Sequence, residues 1–220
     1  LNDGTELVKT AEGALNEISG ILLRLRSIAS QSANGTIDDV ERISTDLEYQ
    51  ASLRELDRIV ATTEFNGTFL LDGTLAASQP AADHNVLQLG LDSSSDNQFD
   101  LNNMLNLTNV GTASLGLSGS NITSQGDAFQ ALNALTTSID DLIQARGRVG
   151  TTQIRIMHAF DNLKVQEENL TAAVSTIRDA DFAEELTSLT KNQLLVQSAV
   201  AMVGQANLNP QAALTLLEGV

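Results

Sequence analysis

Apolar residues recur along the first thirty positions with alternating spacings of three and four, which is typical of a helix packed along one side. The pattern stops at Asn34-Gly35, a residue pair that favours a turn. It therefore predicts a long first helix. The predicted buried seam of this helix consists of Val8, Ala11, Leu15, Ile18, Leu22, Leu25 and Ala29.

A second helical pattern follows the turn and ends near Asn66-Gly67. Asp38 or Asp39 is suited to cap its amino terminus, because a carboxylate there can accept the unpaired backbone N–H groups of the first turn. Since the connection is short, we expect the two helices to form an antiparallel pair. The apolar positions of the second helix are Val40, Ile43, Leu47, Leu53, Leu56 and Val60.

The middle of the chain has a different pattern. The run 65–69, Phe-Asn-Gly-Thr-Phe, predicts a hairpin turn between apolar residues, and residues 86–91 partly alternate as a strand does. Segments 74–85, 92–98 and 108–126 are rich in small and polar residues with weak periodicity. These segments predict short strands, turns and surface loops.

The helical pattern returns in the last third. A modest helix is expected from Asp127 to about Ile143, followed by a long one from about Thr151 to Arg178, with Asp179-Ala180-Asp181 as the cap of a final helix. The long helix has an unbroken seam with one polar member. That seam consists of Ile156, Phe160, Leu163, Glu167, Leu170, Val174 and Ile177.

The final helix is apolar on two adjacent faces, and its only charged residue between Thr187 and Leu217 is Lys191. Such a helix is normally buried on most sides. The rest of the chain predicts a slender bundle that cannot cover it, so we expect its partners to lie outside this chain. The first seam consists of Phe182, Leu186, Leu189, Gln193, Val196, Val200 and Val203, and the second seam of Leu195, Ala199, Met202 and Ala206.

Composition supports long helices and narrows the function. Only 3% of residues are aromatic and there are two prolines, so the core must be built from Ala, Leu, Ile and Val. The net charge of −16, with no Lys or Arg from Ile59 to Ala145, argues against binding to nucleic acid or to an anionic membrane. We expect no membrane insertion, because no stretch reaches about 20 apolar residues. The opening, Leu1 to Lys9, has neither a basic leader nor an apolar run, which predicts no signal peptide.

No arrangement of residues suggests catalysis. Cysteine is absent, which excludes disulfides and thiolate metal sites and is compatible with export. The chain has no HExxH, GxSxG, phosphate-loop or GxGxxG motif. We expect His84, in a polar loop, and His158, beside a helix seam, to be ordinary surface or interfacial residues. The prediction is that the protein is not an enzyme and uses no cofactor or metal.

The two ends of the chain closely resemble bacterial flagellin, the subunit of the flagellar filament. The match covers residues 1–72 and about 140–217, in the family's order, and no single short motif is specific without the others. The amino-terminal signature includes residues 10–17 (TAEGALNE), 31–36 (QSANGT) and 64–67 (EFNG); the carboxyl-terminal signature includes residues 177–185 (IRDADFAEE), 189–193 (LTKNQ) and 214–217 (LTLL).

The resemblance implies a mainly α fold, an elongated antiparallel bundle of long coiled-coil-like helices with a small β-hairpin region. By this resemblance the sequence begins in the middle of the family's first outer-core helix. The amino-terminal inner-core arm is therefore expected to be missing, through trimming or loss. The implied segments are amino-terminal outer-core helices and hairpin turn (1–72), a variable β and loop region (73–126), carboxyl-terminal outer-core helices (127–178) and a filament-lining inner-core helix (179–220).

The resemblance also implies partners. They are other flagellin subunits in a homopolymer used for motility and an export chaperone at residues 182–217, with secretion to the flagellum by the flagellar type III route. Our hypothesis is that this helix has no partner in its own chain and is disordered, chaperone-bound or packed on a neighbouring copy. The predicted interface residues are Phe182, Leu186, Leu189, Leu195, Val196, Val200, Met202, Val203, Leu214 and Leu217.

Flagellins resemble one another around a stretch that is recognised by Toll-like receptor 5, a vertebrate immune sensor. The matching positions here are Arg24, Ile28 and Glu48, and the alternative is that they only pack neighbouring subunits. Two other functions stay open at this point. The chain could be a hook–filament junction protein, or a cell-surface flagellin homologue that binds glycans or host surfaces through residues 74–126.

Overall fold

The computed structural model describes residues 2–89, 94–178 and 182–218. The expected mainly α fold with small antiparallel strand pairs is confirmed. The chain divides into a first unit, Leu1–Val165, and a second unit, Gln166–Val220. Its helices are α1 (Asn2–Ser32), α2 (Asp39–Thr62), α3 (Leu101–Leu105), α4 (Gln125–Arg178) and α5 (Phe182–Glu218), and its strands are β1 (Glu64–Phe65), β2 (Thr68–Phe69), β3 (Val86–Gln88) and β4 (Gln98–Asp100).

Helix α1 confirms the first prediction, because all seven residues of its predicted seam are fully buried. The helix ends at Ser32, where the buried guanidinium of Arg42 closes the turn. Arg42 donates hydrogen bonds to the carbonyl oxygens of Ser32, of Asn34 at 3.1 Å and of Ile37 at 2.8 Å. One side chain therefore bonds to a carbonyl at the end of α1 and to two carbonyls in the following turn.

Helix α2 begins as predicted, with Asp38 accepting the backbone N–H of Glu41 at 2.8 Å. Its second half also packs as expected, with Leu53, Leu56 and Val60 buried. The apolar residues of its first half are not part of the core. Val40, Ile43 and Leu47 are 75%, 55% and 68% exposed.

Polar residues take the inward positions of the first half of α2 instead. Arg42 closes the turn after α1, and Asp46 accepts the backbone N–H of Ile122 at 2.9 Å. The buried Tyr49 continues this line, with its hydroxyl 2.7 Å from that of Ser120. Arg42 and Asp46 satisfy backbone groups that are buried or partly buried, and Tyr49 pairs with a hydroxyl, so these residues take the inner face in place of the apolar ones.

Helix α4 is continuous from Gln125 to Arg178, so the break predicted between Ile143 and Thr151 was wrong. Gly147 and Gly150 disfavour a helix interior by about 1 kcal/mol each relative to alanine. Tertiary contacts around them offset this cost. Arg146 forms an ion pair with Glu12 of α1 at 2.9 Å, and Arg148 donates to the carbonyl oxygen of Leu105 at 3.1 Å.

The predicted hairpin turn is confirmed. Strands β1 and β2 pair with Glu64 opposite Phe69 and Phe65 opposite Thr68. Asn66 and Gly67 between them both have positive φ, 50° and 80°, as a two-residue type I′ turn requires. The second predicted strand is confirmed for β3, which pairs antiparallel with β4, while its expected end at residues 90 and 91 lies outside the described residues.

The middle of the chain contains short strands and turns as predicted, but segments 74–85 and 108–126 are not only surface loops, because they also place residues in the core. Its leucines extend the core that the long helices begin, although they are too widely spaced to produce a periodic pattern. Strand β3 also approaches α1 closely, since a Cβ on Gly4 would lie 2.3 Å from Leu87 Cδ1. The fully buried residues of this region include Leu70, Leu71, Leu75, Leu105, Leu107, Leu117 and Ile122.

In the second unit, α5 confirms a helix over the predicted final segment. Every side chain from 182 to 206 is exposed, and so are Leu170, Val174 and Ile177 at the end of α4. The predicted cap at residues 179–181 lies outside the described residues. Among the residues that the structure describes, no helix is both long and apolar enough to cross a membrane.

Candidate protein-interaction surfaces

The apolar faces of α5 form one candidate surface. The apolar residues of the first seam are between 52% and 80% exposed, and Leu195 and Met202 of the second seam are 58% and 71% exposed. Polar side chains elsewhere on the helix are partly satisfied within it, since Thr187 and Thr190 each donate to the carbonyl four residues earlier, at 2.7 and 2.8 Å. The hydroxyls turn inward to the backbone, and the apolar groups face solvent.

Such a surface can drive association. Full burial of a Leu, Val, Phe or Met side chain contributes about 1.5–3 kcal/mol, and the two seams together present eight such side chains among residues 182–206. The absence of charge from residue 188 to 217, apart from Lys191, means that little desolvation of ions opposes this burial. The predicted interface residues Leu214 and Leu217 lie outside the residues whose side chains the structure describes.

A second apolar surface lies on the first half of α2. Val40, Ile43 and Leu47, here called the α2 stripe, are spaced by three and four residues and so share one side of the helix. The signal in the sequence that could have revealed it is the line of inward positions Arg42, Asp46 and Tyr49, which marks a different face as buried.

The three residues predicted for receptor binding do not share one accessible surface. Arg24 of α1 and Glu48 of α2 form an ion pair across the two helices, with side chains 66% and 48% exposed. Their pairing confirms that the helices are antiparallel neighbours. Ile28 is only 6% exposed and belongs to the core.

The side chain of His84 is 6% exposed and lies where two segments of the middle region meet. It lies between two acceptors, the carboxylate of Asp100 and the carbonyl of Gln79. His158 lies exposed on α4. Within residues 2–89, 94–178 and 182–218, no three His, Cys, Asp or Glu side chains gather as a metal site would require.

Comparisons with known proteins agree with this arrangement. The bacterial flagellin N-terminal helical region matches residues 1–76, and the bacterial flagellin C-terminal helical region matches residues 132–217. The flagellin of Halalkalibacterium halodurans is 38% identical over 215 residues, covering 98% of this chain and 75% of that protein. The flagellin of Bacillus subtilis is 36% identical over 244 residues, covering 98% and 78%.

A third relative and a solved structure extend the comparison. The flagellar filament 30.7 kDa core protein of Treponema maltophilum is 34% identical over 229 residues, covering 99% of this chain and 77% of that protein. The crystal structure of Bacillus cereus flagellin aligns with a TM-score of 0.60 at 30% identity, covering 78% of this chain and 92% of that one. These findings do not favour a junction protein or a glycan-binding homologue.

Family membership implies a structural, non-enzymatic protein, and it places the chain in the flagellar filament, an extracellular structure. The helical ends that the two family regions match are also the parts that carry α1, α2 and α5. This chain belongs to the bacterial flagellin family and is a structural subunit of the flagellar filament.

Proposed function

We propose that α5 is the segment through which this subunit packs against other copies of the same chain, as the inner-core helix of residues 179–220. The observation that carries the proposal is the exposure of both seams on a nearly uncharged helix. Two adjacent apolar faces suit a helix that contacts neighbours on two sides, as a helix in the interior of an assembly does.

A filament also needs surfaces that do not pair with themselves. An open helical polymer forms when one patch of a subunit contacts a different patch of the next, because a self-complementary patch closes into a dimer. The α2 stripe lies in the first unit and the two seams lie in the second. We assign both as assembly surfaces, so that each subunit offers two apolar patches at different positions in the chain.

The test is a charge inserted into the first seam. Leu189→Lys with Val196→Lys places two ammonium groups on that face while keeping good helix formers. We expect filament formation, followed by electron microscopy and sedimentation, to be lost, because burial would desolvate both charges.

The matched control is Thr187→Lys with Ser198→Lys, which adds the same charge outside both seams. It should retain assembly, and circular dichroism should show unchanged helix content in both variants. Normal filaments from the Leu189→Lys, Val196→Lys variant would contradict an assembly role for the first seam.

The same seams are proposed to bind an export chaperone across residues 182–217 before assembly, during secretion by the flagellar type III route. An unassembled subunit with so much exposed apolar surface is prone to aggregate, and a chaperone that covers it would prevent this. Co-elution of the subunit with the cognate purified chaperone should be lost in the Leu189→Lys, Val196→Lys variant. Retained co-elution would place the chaperone site elsewhere on the chain.

A second proposed function is recognition by Toll-like receptor 5 through the exposed pair Arg24 and Glu48. An accessible Arg beside a carboxylate is a common interface anchor, whereas the buried Ile28 acts by packing α1 against the core. Arg24→Ala should weaken a receptor reporter response, and Arg26→Ala, which removes an exposed arginine from the same helix, should not. An unchanged response for Arg24→Ala would remove it from the site.

A further inference from the structure

Both ring nitrogens of His84 face hydrogen-bond acceptors. Nδ1 lies 2.6 Å from Oδ2 of Asp100, and Nε2 lies 3.0 Å from the carbonyl oxygen of Gln79. The side chain is 6% exposed, with the contact to Asp100 partly buried and the contact to Gln79 at the surface. His84 follows the short turn Ala81–Asp83 and precedes β3, while Asp100 ends β4 and caps α3.

This geometry selects one protonation state. A neutral imidazole has a single N–H and one bare nitrogen, and a carbonyl oxygen cannot donate to that bare nitrogen. Asp100 already accepts the backbone N–H of Asn103 at 3.1 Å and the amide group of the Asn103 side chain. Only the imidazolium, with two N–H groups, satisfies the Gln79 carbonyl and an ionised Asp100 together.

The surrounding charges favour that state. The hydrogen bond to Asp100 raises the pKa of His84 and outweighs the opposing effect of burial, with further contributions from the Gln79 carbonyl and from the charges of Asp100 and Asp83. Burial disfavours ionisation of Asp100, but its hydrogen bonds with His84 and Asn103 together lower its pKa.

Other elements around the pair add two charged groups. Asp3 of α1 lines the same surface depression as Asn85, and Arg155 of α4 lies 5.4 Å from the ring of Phe99 in β4. From Ile59 to Ala145 the sequence has no Lys or Arg, so His84 is the one side chain of that stretch that can be positive near neutral pH.

The pair joins two segments of the first unit. Asn102, directly after the start of α3, accepts the backbone N–H of Asn85 at 2.9 Å and donates to the carbonyl of Thr74 at 2.8 Å. His84 adds the attachment to Asp100 and, through Gln79, holds its own turn closed. Residues 74–85 are therefore attached to the β4–α3 junction by the Asn102 amide, by the backbone hydrogen bond from the N–H of Leu101 to the carbonyl of Asn85 at 2.9 Å, and by the imidazole of His84.

We propose that His84 is a pH-sensitive latch, which as an imidazolium fastens residues 79–85 to the junction of β4 and α3 and on losing a proton to solvent releases them. Deprotonation leaves one N–H for two acceptors, so one of the two hydrogen bonds must break. The latch lies between the two family regions, which match residues 1–76 and 132–217.

The direction of the pH effect follows from the raised pKa. A histidine that binds its proton more tightly in the folded protein stabilises the fold fully when the pH is below its ordinary pKa of 6.5. That stabilisation is lost as the pH rises through the raised pKa of the folded protein. Between those two values the opening equilibrium should increase by up to about tenfold per pH unit.

Native-state hydrogen exchange of the whole chain tests the latch. The amides of Asn85 and Leu101, which hydrogen-bond across the joined segments, should lose protection above pH 6.5 relative to core amides of α1 in the same sample. His84→Gln should abolish this pH dependence, whereas His158→Gln, at the exposed histidine of α4, should leave it unchanged. The same pH dependence in His84→Gln would overturn the proposal.

A measurement on the unsubstituted protein keeps the proposal testable if His84→Gln does not fold. Imidazole ¹⁵N chemical shifts at pH 6 should show both nitrogens of His84 protonated, with a titration midpoint above 6.5. A bare nitrogen at pH 6, or a midpoint below 6.5, would overturn it.

Discussion

The seam of α1 and the first seam of α5 have the same spacing and opposite environments. The seven predicted seam residues of α1 are fully buried in the first unit, whereas every member of the first seam of α5 is exposed in the second. A heptad-like pattern therefore specifies a helix and the face that needs a partner. It does not specify whether that partner belongs to the same chain.

The difference in charge between the two helices indicates which kind of partner each one has. Helix α1 has Glu, Asp, Lys and Arg on its outer side, as a helix that stays in contact with water does, while α5 has one charged residue between positions 187 and 217. A helix with two adjacent apolar faces and so little charge is suited to an assembly that covers both of those faces. We expect substitutions at buried positions of the first unit to lower stability, and substitutions at the exposed apolar positions to affect assembly instead.

The largest expected effect is on the core of the first unit. Leu22→Ala should lower the free energy of unfolding by about 2–5 kcal/mol, because it leaves a cavity in a fully buried seam. Leu189→Ala removes the same atoms from an exposed position and should change the free energy of unfolding by less than about 0.5 kcal/mol. Urea unfolding of unassembled subunits measures both. Equal losses would show that α5 is buried within the subunit in solution.

The next effect is at the turn between α1 and α2. Arg42→Ala removes three hydrogen bonds from a buried guanidinium to backbone carbonyls and should cost about 3 kcal/mol. Arg54→Ala, at an exposed position of the same helix, should cost less than about 0.5 kcal/mol. If the two arginines have similar effects on the urea midpoint, the turn does not depend on this side chain.

The exposed ion pair should matter much less to stability. Because both side chains are largely in water, Arg24→Ala should cost roughly 0.2–1 kcal/mol, decreasing as salt is added. A double-mutant cycle with Glu48→Gln isolates the interaction between the two side chains. A coupling well above that range would mean that the pair is structural, and its use as a receptor contact would then need a separate test.

The smallest expected effect on stability is at the α2 stripe. Ile43→Ser should change the free energy of unfolding by less than about 0.5 kcal/mol beyond the small difference in helix propensity, since Ile43 is 55% exposed. Filament formation should nevertheless weaken if the stripe contacts a neighbouring copy. The matched control is Leu53→Ala on the buried face of α2, which should lower the free energy of unfolding by about 2–4 kcal/mol. Unchanged assembly with Ile43→Ser would leave α5 as the proposed assembly surface.

The sequence alone predicted the elements whose signals are local. The spacing of apolar residues identified α1 and its seam, Asp38 was among the two candidate caps of α2, and Asn66-Gly67 marked the hairpin turn. Family resemblance added the filament role, through motifs at both ends. The helix, the cap and the turn depend on neighbours within a few residues along the chain, so periodicity and turn chemistry are enough to find them.

Only the tertiary structure decided the features that depend on distant residues. Helix α4 stays continuous across two glycines because α1 and α3 bind its arginines, and the α2 stripe is exposed because Arg42 and Asp46 are needed inside to satisfy backbone groups. The side chain of His84 is largely covered because the fold brings Asp100, sixteen residues away, into contact with it. The sequence determined which faces are apolar, and long-range packing decided which of them this chain covers itself, because burial depends on which partners the fold brings close.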